Sequence, residues 1–477
     1  VVILPDNDDP GQKHADMVAR DLHDTAKSVK VITLSERNKG DVSDWLDAGH
    51  STDELQQRVA AADAWTPADK RATTSPQNGR KGGRPKVSYA EMADSFVREH
   101  SADGLPLIRF HMGCWYAYDG KAYHALRRDD VRGMIMAHLR QNFPRNESKT
   151  ARDNVEANLQ AFDLCGLSSA VTVPAWLTED GSHTDAKGWL ALENQLVNVE
   201  NMARHMRGEK VDDPEVFRDL TPELFSTFAM PYAYDADARC DKWQAYVEGV
   251  QPDPHDREVL QMLAGLALVP ETSYNVAFYL YGEAGTGKSV FLYVLRHVVG
   301  PTNCCTLPLA QFDDKFSTWK LTTHLLNLVG ELPTDDGRGR SLRHIEGMLK
   351  DATDGGMIPI ERKHQEPGEA PVTARCVFAT NSMPRFADRS GGVWDRLRII
   401  PFAQRFRGTA EDNPNLRNEI VEQELPGVFL WAVRGLAKLR QRRHFPEHSA
   451  GAMERDRHRL RCDVERRFLE DHVEPGT

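Results

Sequence analysis

The residues best suited to chemistry lie in "YLYGEAGTGKSVFLYVLRHVVG", residues 279–300. Gly282, Gly287, Lys288 and Ser289 satisfy the pattern G-x-x-x-x-G-K-[ST], with Glu283, Ala284, Gly285 and Thr286 between them. An apolar run precedes the pattern and an apolar helical pattern follows it, ending at Gly300. That strand–loop–helix context is what the motif requires. Glycines let successive backbone N–H groups curl around phosphate oxygens, and the helix N-terminus adds partial positive charge. Lys288 is expected at the β- and γ-phosphates, and the Ser289 hydroxyl on Mg²⁺. ATP and Mg²⁺ are therefore the expected cofactors. The loop specifies a nucleotide but not a task, because kinases, GTPases, transporters and motors all use it.

Later residues narrow the choice. "THLLNLVGELP" reads as a strand ending in Glu331, expected beside the loop's strand, to polarise water or hold Mg²⁺. "ARCVFATNSMP" ends in Asn381, whose amide suits the γ-phosphate or the attacking water. "GGVWDRLRIIPF" places Arg396 and Arg398 at a strand start. An arginine there suits a finger inserted into a neighbouring subunit's site, which would make the active unit a ring. Arg396 is preferred because it follows the Gly-Gly turn more closely. Between Glu331 and Asn381, "GGMIPIERKHQEPGEAPV" predicts two short strands around a tip holding Arg362, Lys363 and His364. In a ring, Lys363 and His364 would face the pore and grip DNA phosphates without reading bases. "NKGD" at 38–41 imitates a guanine-reading motif, but it precedes Lys288 by roughly 250 residues and is read as coincidence.

The elements that must position these residues divide the chain. Residues 1–65 alternate strand and helix and imply a parallel α/β unit. Residues 66–87 form a basic linker, with six Lys or Arg against one Asp. Its "GGRPK" resembles a minor-groove arm, but a solvated tether is the preferred reading. Residues 88–235 form a mixed α+β domain in which "CWYAYDGKAYHAL" predicts a hairpin. Trp115, Tyr116, Tyr118 and Tyr123 suit hairpin packing better than base stacking. Residues 236–405 alternate again, and 406–477 read as helices.

Composition sets the outer limits. The 477 residues are 40% hydrophobic and 27% charged, as in soluble globular proteins. No apolar run approaches the ~20 residues of a membrane helix, so no membrane partner is expected. Seven cysteines without CxxC spacing suit reduced thiols in a cytoplasm. The net charge of −11 excludes a uniformly basic coat, but not a local basic surface.

Taken together, the glycine-rich loop, the single-Glu strand end, the Lys-His hairpin, the strand-end Asn and "WDRLRIIPF" resemble the superfamily 3 helicases. These are hexameric AAA+ motors of viruses, phages and plasmids. The resemblance is strongest to the phage/plasmid primase–helicases related to satellite-phage and poxvirus replication proteins, and it covers most of residues 88–470. "LTPELFSTFAMPYAYDADARCDKWQAYVEGV" and "CWYAYDGKAYH" resemble that family's upstream segments. Gly330 departs from it, standing where some relatives carry a second acidic residue. The opening "VVILPDNDDPG" resembles the second half of a TOPRIM domain, whose D-x-D metal pair would be Asp6 and Asp8, with Asp41 and Asp44 along the same edge. The TOPRIM glutamate is missing, so little primase chemistry is expected, and both ends read as cuts through a longer protein.

The implied fold is α/β: an AAA+ ATPase with a parallel sheet, preceded by a partial TOPRIM-like unit and an accessory domain, and followed by helices. The implied function is an ATP-driven 3′–5′ DNA helicase acting as a homo-hexamer in replication initiation. It would act on single- and double-stranded DNA, beside replication-initiation proteins and the host nucleoid. Two alternatives stay open: a primase or origin-binding factor that uses ATP for assembly, and a P-loop kinase or nucleotide-binding regulator.

Overall fold

The protein was analysed as a computed structural model. It describes residues 1–5, 15, 18–19, 28–34, 42–62, 87–102, 104–161, 165–178, 182–312, 314–330, 342–361, 368–383, 386, 391–409, 412–446 and 449–462. The chain divides into two compact units, residues 1–86 and 87–477.

In the first unit, Val2–Ile3 pairs parallel with Lys30–Val31, as strand–helix–strand alternation predicts. Helices Val42–Asp47 and Thr52–Ala61 follow, the second capped by Ser51, whose hydroxyl accepts from Glu54 N at 3.3 Å. Asp6, Asp8, Asp41 and the Asp44 side chain lie outside the described residues.

The second unit opens with helix Tyr89–Glu99. Its capping box is reciprocal: Glu91 N donates to Ser88 Oγ, and Ser88 N donates to Glu91 Oε2. Strands Ile108–His111, Cys114–Tyr118 and Tyr123–Leu126 form an antiparallel sheet. The expected hairpin is the last pair. Its turn is set by Asp119, whose Oδ1 accepts from the N–H groups of Lys121 and Ala122. Trp115 and Tyr123 are buried in the packing, so they offer no face to a nucleobase.

The larger sheet is parallel throughout. Its strands are β1 (Ala277–Tyr281), β2 (Cys304–Cys305), β3 (Leu326–Val329), β6 (Arg375–Thr380) and β7 (Leu397–Pro401), in the order β2-β3-β6-β1-β7. Strands β4 (Met357–Ile360) and β5 (Gly368–Pro371) form the separate antiparallel hairpin that the sequence predicts. Its tip, with Arg362, Lys363 and His364, lies outside the described residues.

One expectation is corrected. The strand leading to Glu331, β3, is not the neighbour of β1, because β6 lies between them and pairs with both. All six residues of β6 are buried, and an interior position is where a strand with no solvated face is most stable. Three similar apolar runs carry no signal of their lateral order.

The helices of this region are α1 (Asp241–Val250), α2 (Pro254–Leu266), α3 (Lys288–Val299), α4 (Leu342–Asp354), α5 (Gly392–Arg396), α6 (Leu416–Gln423), α7 (Leu425–Arg442) and α8 (Ala450–Cys462). One core runs from Leu190 through β1, α3 and α7 to Phe445. Phe278, Phe291 and Phe429 are completely buried in it, each worth roughly 1.5–3 kcal/mol. Helix α7 buries twelve of its eighteen residues and leaves a polar stripe of Arg434, Lys438, Gln441 and Arg442 exposed. Helix α8 lies on β7, its first N–H groups capped by α2. Ala450 N donates to Asp253 Oδ2 at 3.1 Å, and Gly451 N donates to Asp256 Oδ2 at 3.2 Å. Among the described residues, no helix is long and apolar enough to cross a membrane.

Candidate functional site

The glycine-rich loop joins the carboxyl end of β1 to α3, the edge of a parallel sheet where ligands bind. Gly285 and Gly287 take left-handed backbone angles, φ 84° and 96°. Space reinforces the requirement at Gly287, where an added Cβ would lie 2.9 Å from Val250 Cγ1. Helix α3 begins at Lys288 with no side-chain cap. The Ser289 side chain is exposed in its first turn.

Lys288 is buried. Its ammonium donates to the carbonyls of Gly282 and Glu283 at 2.6 and 2.7 Å, and to Asn381 Oδ1 at 3.1 Å. Asn381 follows β6 directly, and β6 pairs in register with β1, Thr380 opposite Tyr281. Strand adjacency thus brings together two residues 93 positions apart. Thr286 tightens the loop by donating its hydroxyl to Glu283 O at 2.9 Å. A buried cation, an exposed hydroxyl in the same helical turn and an exposed amide beside them fit a magnesium-bound polyphosphate. Glu331 lies outside the described residues, one position past Gly330.

Arg396 sits elsewhere. It ends α5, immediately before β7, whereas the loop follows β1. The parallel register pairs Ala277 with Leu397 and Tyr281 with Pro401. Arg396 is therefore at the amino edge of the sheet and Lys288 at the carboxyl edge, with about 16 Å of strand between. The Arg396 guanidinium donates to both carboxylate oxygens of Asp354, and to Gly392 O. Arg398 folds back onto the carbonyls of Asp395 and Leu397.

Three contributors carry no sequence signal. The Tyr246 hydroxyl on α1 donates to Gly287 O at 2.9 Å. Burial pushes that phenol well above its ordinary range, so it remains a donor. Arg407 follows β7. Its backbone and that of Phe406 donate to Gly285 O, and its Cβ, Cγ and Cδ all lie within 3.8 Å of where a Gly285 side chain would begin. The third is Asp354, the partner of Arg396. None belongs to a motif, and only the folded geometry associates them with the loop or the arginine.

Comparison with known proteins adds an independent line. A model described as "Family of unknown function (DUF5906)" matches residues 280–396, from the end of β1 to Arg396. The "Putative helicase L207/L206" of Acanthamoeba polyphaga mimivirus is 23% identical over 47% of this chain and 23% of its own length. "Replication protein E1" of human papillomavirus 28 is 27% identical over 34% of this chain and 23% of its own. "Putative helicase 121R" of invertebrate iridescent virus 3 is 23% identical over 32% and 16%. Part of this chain resembles three viral proteins, two of them named as helicases and one as a replication protein. It spans less than a quarter of their length. A solved apo structure of the NrS-1 C-terminal region is similar at a TM-score of 0.46 and 10% identity, over 80% of this chain and 82% of that one.

Proposed function

We propose that residues 236–477 are the motor of an ATP-driven DNA helicase of the superfamily 3, AAA+ type, serving replication of a phage, prophage or plasmid. The observation that carries this reading is the 3.1 Å contact between Lys288 Nζ and Asn381 Oδ1. It joins a phosphate-binding lysine to a strand-end amide suited to the γ-phosphate, and the helicase-named relatives favour DNA work over small-molecule phosphorylation. In this reading Gly282 to Ser289 cradle ATP, while Ser289 and Glu331 hold Mg²⁺. Asn381 orients the attacking water, and Arg396 completes the site of the next subunit in a hexameric ring. Lys363 and His364 would track the phosphates of single-stranded DNA through the pore.

The test is the rate of ATP hydrolysis with and without single-stranded DNA, beside the native mass. Stimulation by DNA in a multi-subunit species, abolished by Lys288→Ala, is the expected result. A monomer whose hydrolysis ignores DNA would refute the motor and favour a nucleotide-binding regulator.

A further inference from the structure

The chain stays beside the glycine-rich loop after β7 ends. Phe402 N donates to Tyr281 O at 2.7 Å, Phe406 N to Gly285 O at 2.9 Å, and Arg407 N to the same carbonyl at 3.3 Å. Phe406 anchors this segment, half-buried against the main core and 3.8 Å from where a Gly249 side chain would begin. The Arg407 side chain is exposed, yet its stem lies along the loop. Its Cβ is 2.7 Å, its Cδ 3.7 Å and its Cγ 3.8 Å from where a Gly285 side chain would begin. Only a residue without a Cβ leaves room for this approach.

The order of the sheet decides which end of a ligand this residue would meet. Strand β1, which leads into the loop, lies between β6 and β7. Asn381 follows β6, and on that flank it accepts from Lys288 Nζ at 3.1 Å. Arg407 follows β7 and borders the loop from the opposite flank. With the γ-phosphate on the Asn381 flank, the inner phosphates extend toward the β7 flank. Charge points the same way. A nucleoside triphosphate brings roughly four negative charges, of which Mg²⁺ and Lys288 offset about three. Glu283, exposed in the loop itself, adds another negative charge. A guanidinium suits the remainder, because its fork matches the spacing of phosphate oxygens.

We infer that Arg407 binds the inner phosphates of a nucleoside di- or triphosphate, gripping substrate and product alike and taking no part in the transfer of the γ-phosphate. The inference rests on the glycine-rich loop being a nucleotide site. It gives that site a second cation, which the loop's own motif does not contain and which arrives from a strand end 119 positions after Lys288.

The test titrates the full chain, with Mg²⁺, against ATP, ADP and inorganic triphosphate. Arg407→Gln keeps Cβ, Cγ and Cδ, and so the packing on Gly285, while removing the charge. It should weaken all three ligands about tenfold. In steady-state hydrolysis KM should rise by about the same factor, with kcat held within about threefold. Arg407→Lys should recover part of the affinity. Because the side chain is exposed, the ligand-free melting temperature should match the wild type. Weakened ATP with unchanged ADP would place Arg407 at the γ-phosphate. Weakened nucleotides with unchanged inorganic triphosphate would place it at the base or ribose. Either result overturns the inference, as does a lowered melting temperature with unchanged affinities. A wild type that binds neither ATP nor ADP would sink the nucleotide site itself, whereas a wild type that binds beside an indifferent Arg407→Gln would sink the Arg407 assignment alone.

Discussion

Arg396 and Asp354 form a two-point ion pair, Nε to Oδ1 at 3.0 Å and Nη2 to Oδ2 at 2.6 Å, between the end of α5 and the end of α4. The fork geometry fixes the direction of the guanidinium as well as its place. If Arg396 acts on a neighbouring subunit, Asp354 is the residue that aims it. Arg396→Ala and Lys288→Ala subunits should each be inactive alone and recover part of the hydrolysis when mixed. ATPase assays across mixing ratios decide this, and no recovery at any ratio would exclude action in trans. Asp354→Asn should lower the maximal rate while leaving nucleotide affinity within about threefold, because it touches no ligand.

The contact between Lys288 and Asn381 predicts a separation of binding from chemistry. Lys288→Ala should remove measurable ATP binding. Asn381→Ala should retain binding and lose hydrolysis on the order of 100-fold, the usual cost of one oriented polar group in a transition state. Fluorescent-nucleotide titration beside steady-state hydrolysis reads both. Equal losses in affinity for the two variants would contradict the assignment.

Tyr246 supports the loop from behind, and its hydroxyl makes one buried hydrogen bond. Tyr246→Phe should cost about 1 kcal/mol of stability, visible as a lower melting temperature. Gly287→Ala should be worse, since it adds left-handed strain to a 2.9 Å approach to Val250. If Gly287→Ala melts at the wild-type temperature, the described loop geometry is wrong.

Asp256 gives a pH signature. Burial raises its pKa from 3.8 to about 6, against the pull of hydrogen bonds from Ser449 and Gly451, with Asp253 adding to the rise. A carboxyl whose folded pKa is raised binds more protons folded than unfolded between those values. Stability from this group is therefore greatest below about pH 4 and falls as pH rises toward 6, by roughly 3 kcal/mol in all. Asp256→Asn should flatten that slope and gain on the wild type as pH rises from 4 to 7. Parallel slopes in thermal melts across this range would refute it.

What the sequence disclosed was local. The apolar runs that became β1, β3, β6 and β7 stood out because strands of a parallel sheet are buried on both faces. The loop at 282–289 stood out because every residue of its motif is contiguous. Lateral order did not stand out: β6 divides β3 from β1, and nothing in three similar apolar runs reveals which will be central. Nor did pairings across long separations, such as Arg396 with Asp354, 42 residues apart, or Tyr246 with Gly287, 41 apart.

If Arg396 serves a neighbouring subunit, its placement and that of Lys288 at opposite ends of adjacent parallel strands give each subunit a donor end and an acceptor end. Two copies related by a twofold axis would set donor against donor and leave both acceptors unfilled. Only head-to-tail stacking would match them, and each added subunit would then expose a fresh donor at one tip of the growing array. Such an array ends only when its last member meets its first. In this reading, closure is imposed on the assembly by the direction in which five short strands run.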